Sequence, residues 1–196
     1  THRNWTAVGL PDFDALPIVD PAGLLTPLYD AWSLDCWVLG ADGRVLYPAG
    51  GRALQWAGAQ ELQLDPLPLV RTHFSERGMQ LEMRADVLPH TSDGAACRLR
   101  VRAALDRGEG WLVLALRPCN PEGVSFIHDV ALLEDDRGWL VNGHEHVHVD
   151  SRPARWAFSD YSGGDVALHL PASDVRRAMR CDVGMASAAL LYPMRA

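Results

Sequence analysis

Turn-forming residues recur at intervals of roughly eight to twelve residues along most of this chain, and the runs between them are short and strand-like. Charged, glycine-containing turns at residues 75–78, 106–110 and 135–138 separate runs that are rich in valine, leucine and aromatic residues. Short strands at this spacing, with few helical periods between them, are typical of antiparallel sandwiches and barrels. The sequence therefore predicts an all-β fold, an antiparallel two-sheet sandwich.

The clearest strand spans residues 97–103, where small or apolar residues alternate with arginines at positions 98, 100 and 102. A period of two places the apolar residues on one face and the arginines on the other, so one face is predicted to be buried. Residues 111–116 are apolar throughout and predict a strand that is buried on both faces. An Asp42-Gly43 pair between apolar runs at 31–39 and 44–47 predicts a hairpin.

Three other segments complete the predicted architecture. Residues 1–30 contain four prolines and several aspartates, which predicts an extended loop that wraps over the surface. Residues 52–62 have helical spacing at positions 54, 57 and 61 and predict one short helix, although Gly58 weakens it. Residues 166–170 predict another strand. We expect residues 31–196 to form a single β-sandwich domain, a size that such domains often reach.

The charge of the chain excludes some classes of partner. Its 18 cationic residues are all arginines, and 25 acidic residues bring the formal net charge to -7. A protein with this balance has no global basic field that attracts phosphates, so nucleic acid is not predicted as a partner. No run of eighteen apolar residues occurs, so no membrane-spanning helix is predicted.

Few motifs in the chain carry chemistry. The sequence contains no G-x-S-x-G, G-x-G-x-x-G or phosphate-binding P-loop motif. Glu134, Asp135 and Asp136 superficially suggest the paired carboxylates of a glycosidase, but acidic residues are common in hairpin turns. The sequence therefore predicts no cofactor and no catalytic residue in this chain.

A histidine-rich segment is the most suggestive cluster. If residues 144–150 form a strand, His144, His146, His148 and Asp150 lie on one face, and imidazoles with a carboxylate suit zinc or iron. Same-face neighbours along a strand lie roughly 6.5–7 Å apart, which suits two ligands better than three. The alternatives are a metal site in a small metal-dependent β enzyme and a surface strand whose histidines face water.

The seven tryptophans admit a carbohydrate-binding interpretation, because exposed aromatic faces stack on sugar rings. Trp139 and Trp156 stand beside turns and polar residues and are predicted to be exposed, and Tyr161 is a third stacking candidate. The loop at residues 117–123 holds two prolines and a glycine, and it presents Arg117 and Asn120 as donors. This loop is either a structural corner or part of a sugar-binding surface.

The four cysteines, Cys36, Cys97, Cys119 and Cys181, are far apart and form no C-x-x-C pair. Their apolar, strand-like surroundings predict buried thiols in a reducing compartment, the cytoplasm, with one disulfide as the alternative. The chain begins at Thr1 without a signal-peptide pattern, and an apolar run at 185–192 stops four residues before the end. We therefore expect the chain to be part of a longer protein.

Two segments resemble a known family. They are residues 111–123, which read WLVLALRPCNPEG and are followed by Phe126-Ile127-His128, and residues 181–193, which read CDVGMASAALLYP. Together they resemble the N-terminal domain of bacterial amylo-α-1,6-glucosidase-like proteins, relatives of glycogen-debranching enzyme and glucoamylase. The resemblance covers residues 31–196.

The resemblance implies an antiparallel supersandwich that precedes an (α/α)6 barrel, and in that family the barrel carries the catalytic carboxylates. Those carboxylates would lie beyond Ala196, so no catalytic residue carries over. The expected role is a non-catalytic N-terminal domain of a glycoside hydrolase acting on α-glucans, with the C-terminal catalytic domain as its partner. The alternatives are an independent module that binds α-glucan oligosaccharides and the metal-dependent enzyme.

Overall fold

Antiparallel β-sheets make up almost all of the regular structure in the computed structural model, which describes residues 4–11, 16–28, 30–48, 58–91 and 94–196. The predicted all-β sandwich class is confirmed. The strands are β1 (Thr6–Ala7), β2 (Ile18–Val19), β3 (Leu25–Thr26), β4 (Ser33–Gly40), β5 (Val45–Leu46), β6 (Gly58–Gln63), β7 (Leu69–Glu76), β8 (Met79–Thr91), β9 (Gly94–Leu105), β10 (Glu109–Arg117), β11 (Cys119–Asn120), β12 (Gly123–Val124), β13 (Asp129–Leu132), β14 (Gly138–Val141), β15 (Glu145–His148), β16 (Arg155–Ser159), β17 (Ala178–Arg180) and β18 (Ser187–Arg195).

The largest sheet, here called the central sheet, has the strand order β1-β2-β3-β4-β10-β18-β16, and β5 pairs with β4. Strand β10 lies between β4 and β18, so that Leu114 faces Cys36 on one side and Leu190 on the other. The apolar run at 111–116 predicted such an interior strand, and both of its edges are paired within the sheet. The predicted burial of both faces is incomplete, because Leu112 and Leu114 are only half-buried.

Two four-stranded sheets pack against one face of the central sheet. The second sheet has the order β6-β7-β8-β9, and the third sheet has the order β15-β14-β13-β17. Phe74 and Leu81 of the second sheet join a core cluster with Val38 of the central sheet. Trp139 of the third sheet joins another with Leu190. One layer of the sandwich is therefore the central sheet, and the other layer is formed by two separate sheets.

The other face of the central sheet is covered near Trp37 and Ala189 by a short 3-10 helix, Val166–His169. The predicted strand at 166–170 is therefore wrong. The Asp165 side chain accepts a hydrogen bond from the Ala167 backbone nitrogen at 2.9 Å and caps the helix. This local bond replaces the pairing that a strand would need, and only Val166 of the helix is buried.

The predicted helix at 52–62 is wrong over residues 58–62, the part of it that the structure describes. Residues 52–57 lie outside the described residues, and the remainder falls in β6, which pairs with β7 from Gly58 to Gln63. The free edge of β7 offers backbone partners at every second residue, and this pairing outweighs a weak helical spacing that Gly58 already interrupts. The N-terminal segment, predicted as an extended loop, supplies β1, β2 and β3, which continue the central sheet beyond β4.

The hairpin turns follow their sequence signals. Gly43 has a φ of +85° in the predicted turn between β4 and β5. In β9 the arginines point outward as predicted, but Leu99 and Val101 on the inner face are only half-buried. Among the described residues, no helix has the length and apolar character that crossing a bilayer requires.

Candidate functional site

The histidine-rich segment lies at the edge of the third sheet, where β15 begins at Glu145. His146 and His148 are exposed on one face of this strand, and their rings stack with centroids 5.6 Å apart. His144 precedes the strand in a turn, and its Nδ1 lies 2.7 Å from the backbone oxygen of Asn142. The predicted alternation is therefore correct for two of the three histidines.

The segment also matches the His-Glu-x-x-His spacing, a signal that the alternation argument did not use. That spacing binds zinc when a helix brings both histidines to one face with the glutamate beside them. Here Glu145 lies in a strand and accepts a hydrogen bond from the Trp32 indole at 2.9 Å. In the part of the chain that the structure describes, no three His, Cys, Asp or Glu side chains gather as a metal site, so His144, His146 and His148 are not brought together.

The aromatic candidates for sugar stacking are dispersed. Trp139 is 0% exposed and lies in the core between β14 and the central sheet, so its predicted exposure is wrong. Its neighbours in the turn are polar, but β14 is a middle strand of the third sheet and is covered on its inner face. Trp156 is half-buried, its indole donates to the Arg176 backbone oxygen at 2.9 Å, and Arg177 stands over its ring. Tyr161 is 70% exposed.

The side chains of Arg117 and Asn120 contact other residues of the protein and stabilise the loop at 117–123. Arg117 forms an ion pair with Asp165 and lies over the Trp37 ring, 5.2 Å from its centroid. Asn120 accepts hydrogen bonds from the backbone nitrogens of Glu122 and Gly123 and donates to the Ala31 backbone oxygen. These contacts favour the structural-corner interpretation of residues 117–123, because both side chains are engaged within the protein.

A buried carboxyl lies beside this corner. Asp35 is 3% exposed, and burial raises its pKa to about 6, although the nearby Arg117 acts in the opposite direction. The indole nitrogen of Trp37 and Nη1 of Arg117 are buried and have no hydrogen-bond partner among the described residues. The Asp35 carboxyl and the Trp37 ring are therefore buried beside a partly exposed arginine.

The segment after this corner presents an apolar surface. Val124 and Phe126 are each 59% exposed, and Val183 is 54% exposed. A Cβ atom placed on Gly184 would approach the Phe126 ring within 3 Å, which shows that the Val183-Gly184 turn lies against that ring. We call Val124, Phe126 and Val183 the apolar ridge.

The backbone under the apolar ridge is held by hydrogen bonds. Ile127 donates to the Gly184 backbone oxygen at 2.8 Å and accepts from Ala186 at 3.0 Å. The Asn142 side chain donates to the Phe126 backbone oxygen and accepts from the His128 nitrogen. The ridge is therefore a preformed surface, built where the two segments 117–128 and 181–186 meet.

Sequence reasoning missed the apolar ridge. Residues 124–128 alternate between exposed and buried positions, and large apolar residues occur in both sets, since Val124 and Phe126 are exposed whereas Ile127 is buried. Hydrophobicity alone therefore does not tell which face is covered. The unusual composition of the loop, with two prolines and a glycine before the segment, was the available signal.

Comparison with protein-family models, curated proteins and solved structures finds no match for this chain.

Proposed function

We propose that this chain is the non-catalytic N-terminal β-sandwich domain of a glycoside hydrolase that acts on α-glucans. Its role is to support a helical (α/α)6 catalytic barrel in the same parent protein, and contact with glycan is secondary. The proposal rests on the resemblance of residues 111–123, 126–128 and 181–193 to amylo-α-1,6-glucosidase-like proteins, and on the surface that these segments form.

The observation that carries the proposal is the apolar ridge. Three large apolar side chains, at positions 124, 126 and 183, are more than half exposed on a backbone that hydrogen bonds hold in place. Exposed apolar surface of this kind marks interaction sites when it forms a contiguous patch. Because both family-like segments contribute to the ridge, it is the surface on which we place the catalytic domain.

The chemistry of the other candidates also favours a supporting role. The described residues hold no cluster of three metal-binding side chains, Arg117 pairs with Asp165, and Asn120 hydrogen-bonds to the backbone. Trp139 is buried and therefore cannot stack on a sugar. These findings weaken the metal-enzyme and sugar-module alternatives.

We place the parent protein in the cytoplasm. All four cysteines are free thiols, and Cys36 and Cys181 are buried. Burial raises the pKa of the Cys97 thiol to about 12, which keeps it protonated and unreactive at neutral pH. Unpaired thiols are typical of proteins from reducing compartments.

The first test is the mass of the native protein, measured by immunoblot of source cells with an antibody against this chain. The proposal predicts a band well above the 21.5 kDa of the chain, and the immunopurified species should release glucose or oligosaccharides from glycogen. A single band at 21.5 kDa would contradict the proposal and return attention to an independent module.

The second test changes the ridge in the protein of native length. Replacing Phe126 and Val183 by serine should leave folding of the 196-residue chain nearly unchanged, because both side chains are exposed. In the parent protein the same pair should lower the temperature at which glucan hydrolysis is lost. Val175→Ser, at a 93% exposed position outside the ridge, is the matched control and should have no effect in either protein. Equal thermal profiles for all three proteins would contradict docking at the ridge.

A further inference from the structure

A cleft of about 700 Å³ opens between β9 of the second sheet and β15 of the third sheet. Its floor is the inner face of the central sheet, where Leu112 and Leu114 of β10 meet Tyr192 of β18. This volume lies within the range of roughly 300–1,000 Å³ that is typical of sites for small organic molecules. The cleft is distinct from the apolar ridge, and an inference about it does not depend on the proposed function.

The cleft is a gap in the second layer of the sandwich. Leu112 and Leu114 occupy the middle of an eight-stranded sheet, yet they are only half-buried, whereas Leu116 on the same face is 0% exposed. Across the cleft, Leu99 and Val101 of β9 are half-buried too. Central strands normally bury such side chains, because apolar surface is favoured out of water. A bound apolar group would complete the packing that the two outer sheets leave open.

The floor is uncharged. Burial raises the pKa of the Tyr192 hydroxyl, so this group stays neutral at any ordinary pH. Cys36 and Cys97 also line the cleft, and burial raises the pKa of both thiols. The interior of the cleft therefore favours the apolar part of a ligand and offers no fixed charge to an ionic group.

The rim carries an excess of negative charge. Glu145 and Asp150 border the cleft on the side of the third sheet, and the Glu145 carboxylate is held in place by the Trp32 indole. On the opposite side Arg98 forms two hydrogen bonds with Asp86, at 2.8 and 2.6 Å. Two carboxylates therefore line the cleft against one arginine that is already paired, and His146 and His148 lie between those carboxylates in the chain. The rim therefore attracts a cation more strongly than an anion.

The lining argues against a sugar as the occupant. Sugar rings stack on open aromatic faces, whereas most of this cleft is aliphatic and Trp32 is only 5% exposed. An acyl chain with a carboxylate fits the floor but not the rim. The ligand that fits both the floor and the rim is therefore an apolar molecule with a positively charged end.

We propose that this cleft binds a small hydrophobic amine, with its apolar body on Leu112 and Leu114 and its ammonium group at the rim that carries Glu145 and Asp150. At the rim the ligand would form charge-assisted hydrogen bonds. At the floor it would be stabilised by dispersion and by removal of its apolar surface from water. The residues named here as floor and rim all lie in the 196-residue chain, so the chain itself can be tested.

The test is a displacement assay on the 196-residue chain with the neutral dye N-phenyl-1-naphthylamine, whose emission rises in apolar sites. We expect saturable binding of the dye, and displacement by dodecylamine at about tenfold lower concentration than by dodecanoate, both below their micellar concentrations. The double change Glu145→Gln with Asp150→Asn should remove this preference while dye binding remains.

Two variants locate the dye. Leu112→Trp fills the floor, and Leu28→Trp, at a 44% exposed position lining the cleft, obstructs it with less risk to folding. Either variant should lose most of the dye signal, while Val45→Trp at an exposed position outside the cleft should retain it. Unchanged dye binding in the folded Leu28→Trp variant, equal displacement by the two competitors, or no saturable binding would each overturn the proposal.

Discussion

The indole nitrogen of Trp32 donates a hydrogen bond of 2.9 Å to the carboxylate of Glu145, although the two residues are 113 positions apart in the chain. Trp32 immediately precedes β4 of the central sheet, and Glu145 begins the edge strand of the third sheet. The bond therefore ties the two layers of the sandwich together beside the cleft. It also holds the acidic group on which the proposed amine site depends.

This bond should contribute measurably to stability. Trp32→Phe keeps the apolar packing but removes the donor, and hydrogen bonds to ionised groups are worth about 1.5–3 kcal/mol. Because Glu145 is only half-buried and water can replace the indole, we expect a loss of about 1 kcal/mol in the free energy of unfolding in urea. Glu134→Gln, in an exposed turn, should change it by less than about 0.5 kcal/mol. No loss in Trp32→Phe would show that the bond does not join the layers.

The buried Asp35 should make the protein less stable as pH rises. Its pKa is raised to about 6 in the folded chain from 3.8, so the folded state binds this proton more tightly than the unfolded state does. The free energy of unfolding therefore falls as pH rises from about 4 to about 6, because the folded state loses a proton that it binds more tightly. The stability of Asp35→Asn relative to the unchanged protein should increase over that interval by on the order of 3 kcal/mol.

The measurement is urea unfolding of both proteins at pH 4 and pH 7. Asp129→Asn, at an exposed position, controls for the loss of one negative charge. The stability difference between Asp35→Asn and the unchanged protein is expected to differ between the two pH values. An equal difference at both would show that the Asp35 carboxyl ionises normally in the folded chain.

Asp136 should be sensitive to acid in the opposite direction. Ion pairs with Arg152 and Arg177 hold its pKa below the usual value, and its φ is +63°. The ionised Asp136 carboxylate stabilises the folded chain fully above the pKa that this group has in the unfolded chain. The stabilisation is lost as pH falls through the lower pKa of the folded chain. Asp136→Asn, which tolerates the backbone conformation, should lower the thermal unfolding midpoint at pH 7 but hardly at pH 2.

Asp136→Ala should lower the midpoint further at both pH values, because alanine tolerates a positive φ less well than asparagine. Circular dichroism melts of the two variants separate the charge from the backbone. If the two variants melted alike at pH 7, the backbone conformation would not require this residue type.

Gly138 should be the least replaceable glycine in the third sheet. Its φ is +124°, and a Cβ atom there would lie 1.8 Å from the Val147 backbone oxygen across the β14–β15 pairing. Gly138→Ala should therefore cost more than about 3 kcal/mol in urea unfolding, because strain and a steric clash act together. Gly143→Ala, with φ +73° and open space around it, should cost only about 1 kcal/mol from backbone strain. Similar costs for the two would contradict this packing.

Sequence patterns correctly predicted those strands and turns whose structure depends on neighbouring residues in the chain. The Asp42-Gly43 hairpin, the outward arginines of β9 and the interior position of β10 all depend on residues within a few positions of each other. The failures lie where a distant partner competes with a local tendency. Pairing with β7 made Gly58–Gln63 a strand, and the Asp165 cap made Val166–His169 a 3-10 helix.

The candidate site was less predictable than the fold. Trp139 and Phe126 are both aromatic residues near turns, yet one is 0% exposed and the other 59% exposed. Alternation tells that two faces exist but not which face another sheet will cover. Residues 117–128 and 181–186 drew attention by resemblance, whereas their contact with each other appears only in the folded chain.

The sequence by itself determined that this protein is an antiparallel all-β chain with a net negative charge, because strand periodicity, turn chemistry and charge are local properties. Only the tertiary structure decided that two outer sheets share one face of the central sheet, and that a cleft with an acidic rim remains between them. The physical reason is that burial depends on contacts between residues a hundred or more positions apart, such as Trp32 and Glu145, and no local pattern encodes them.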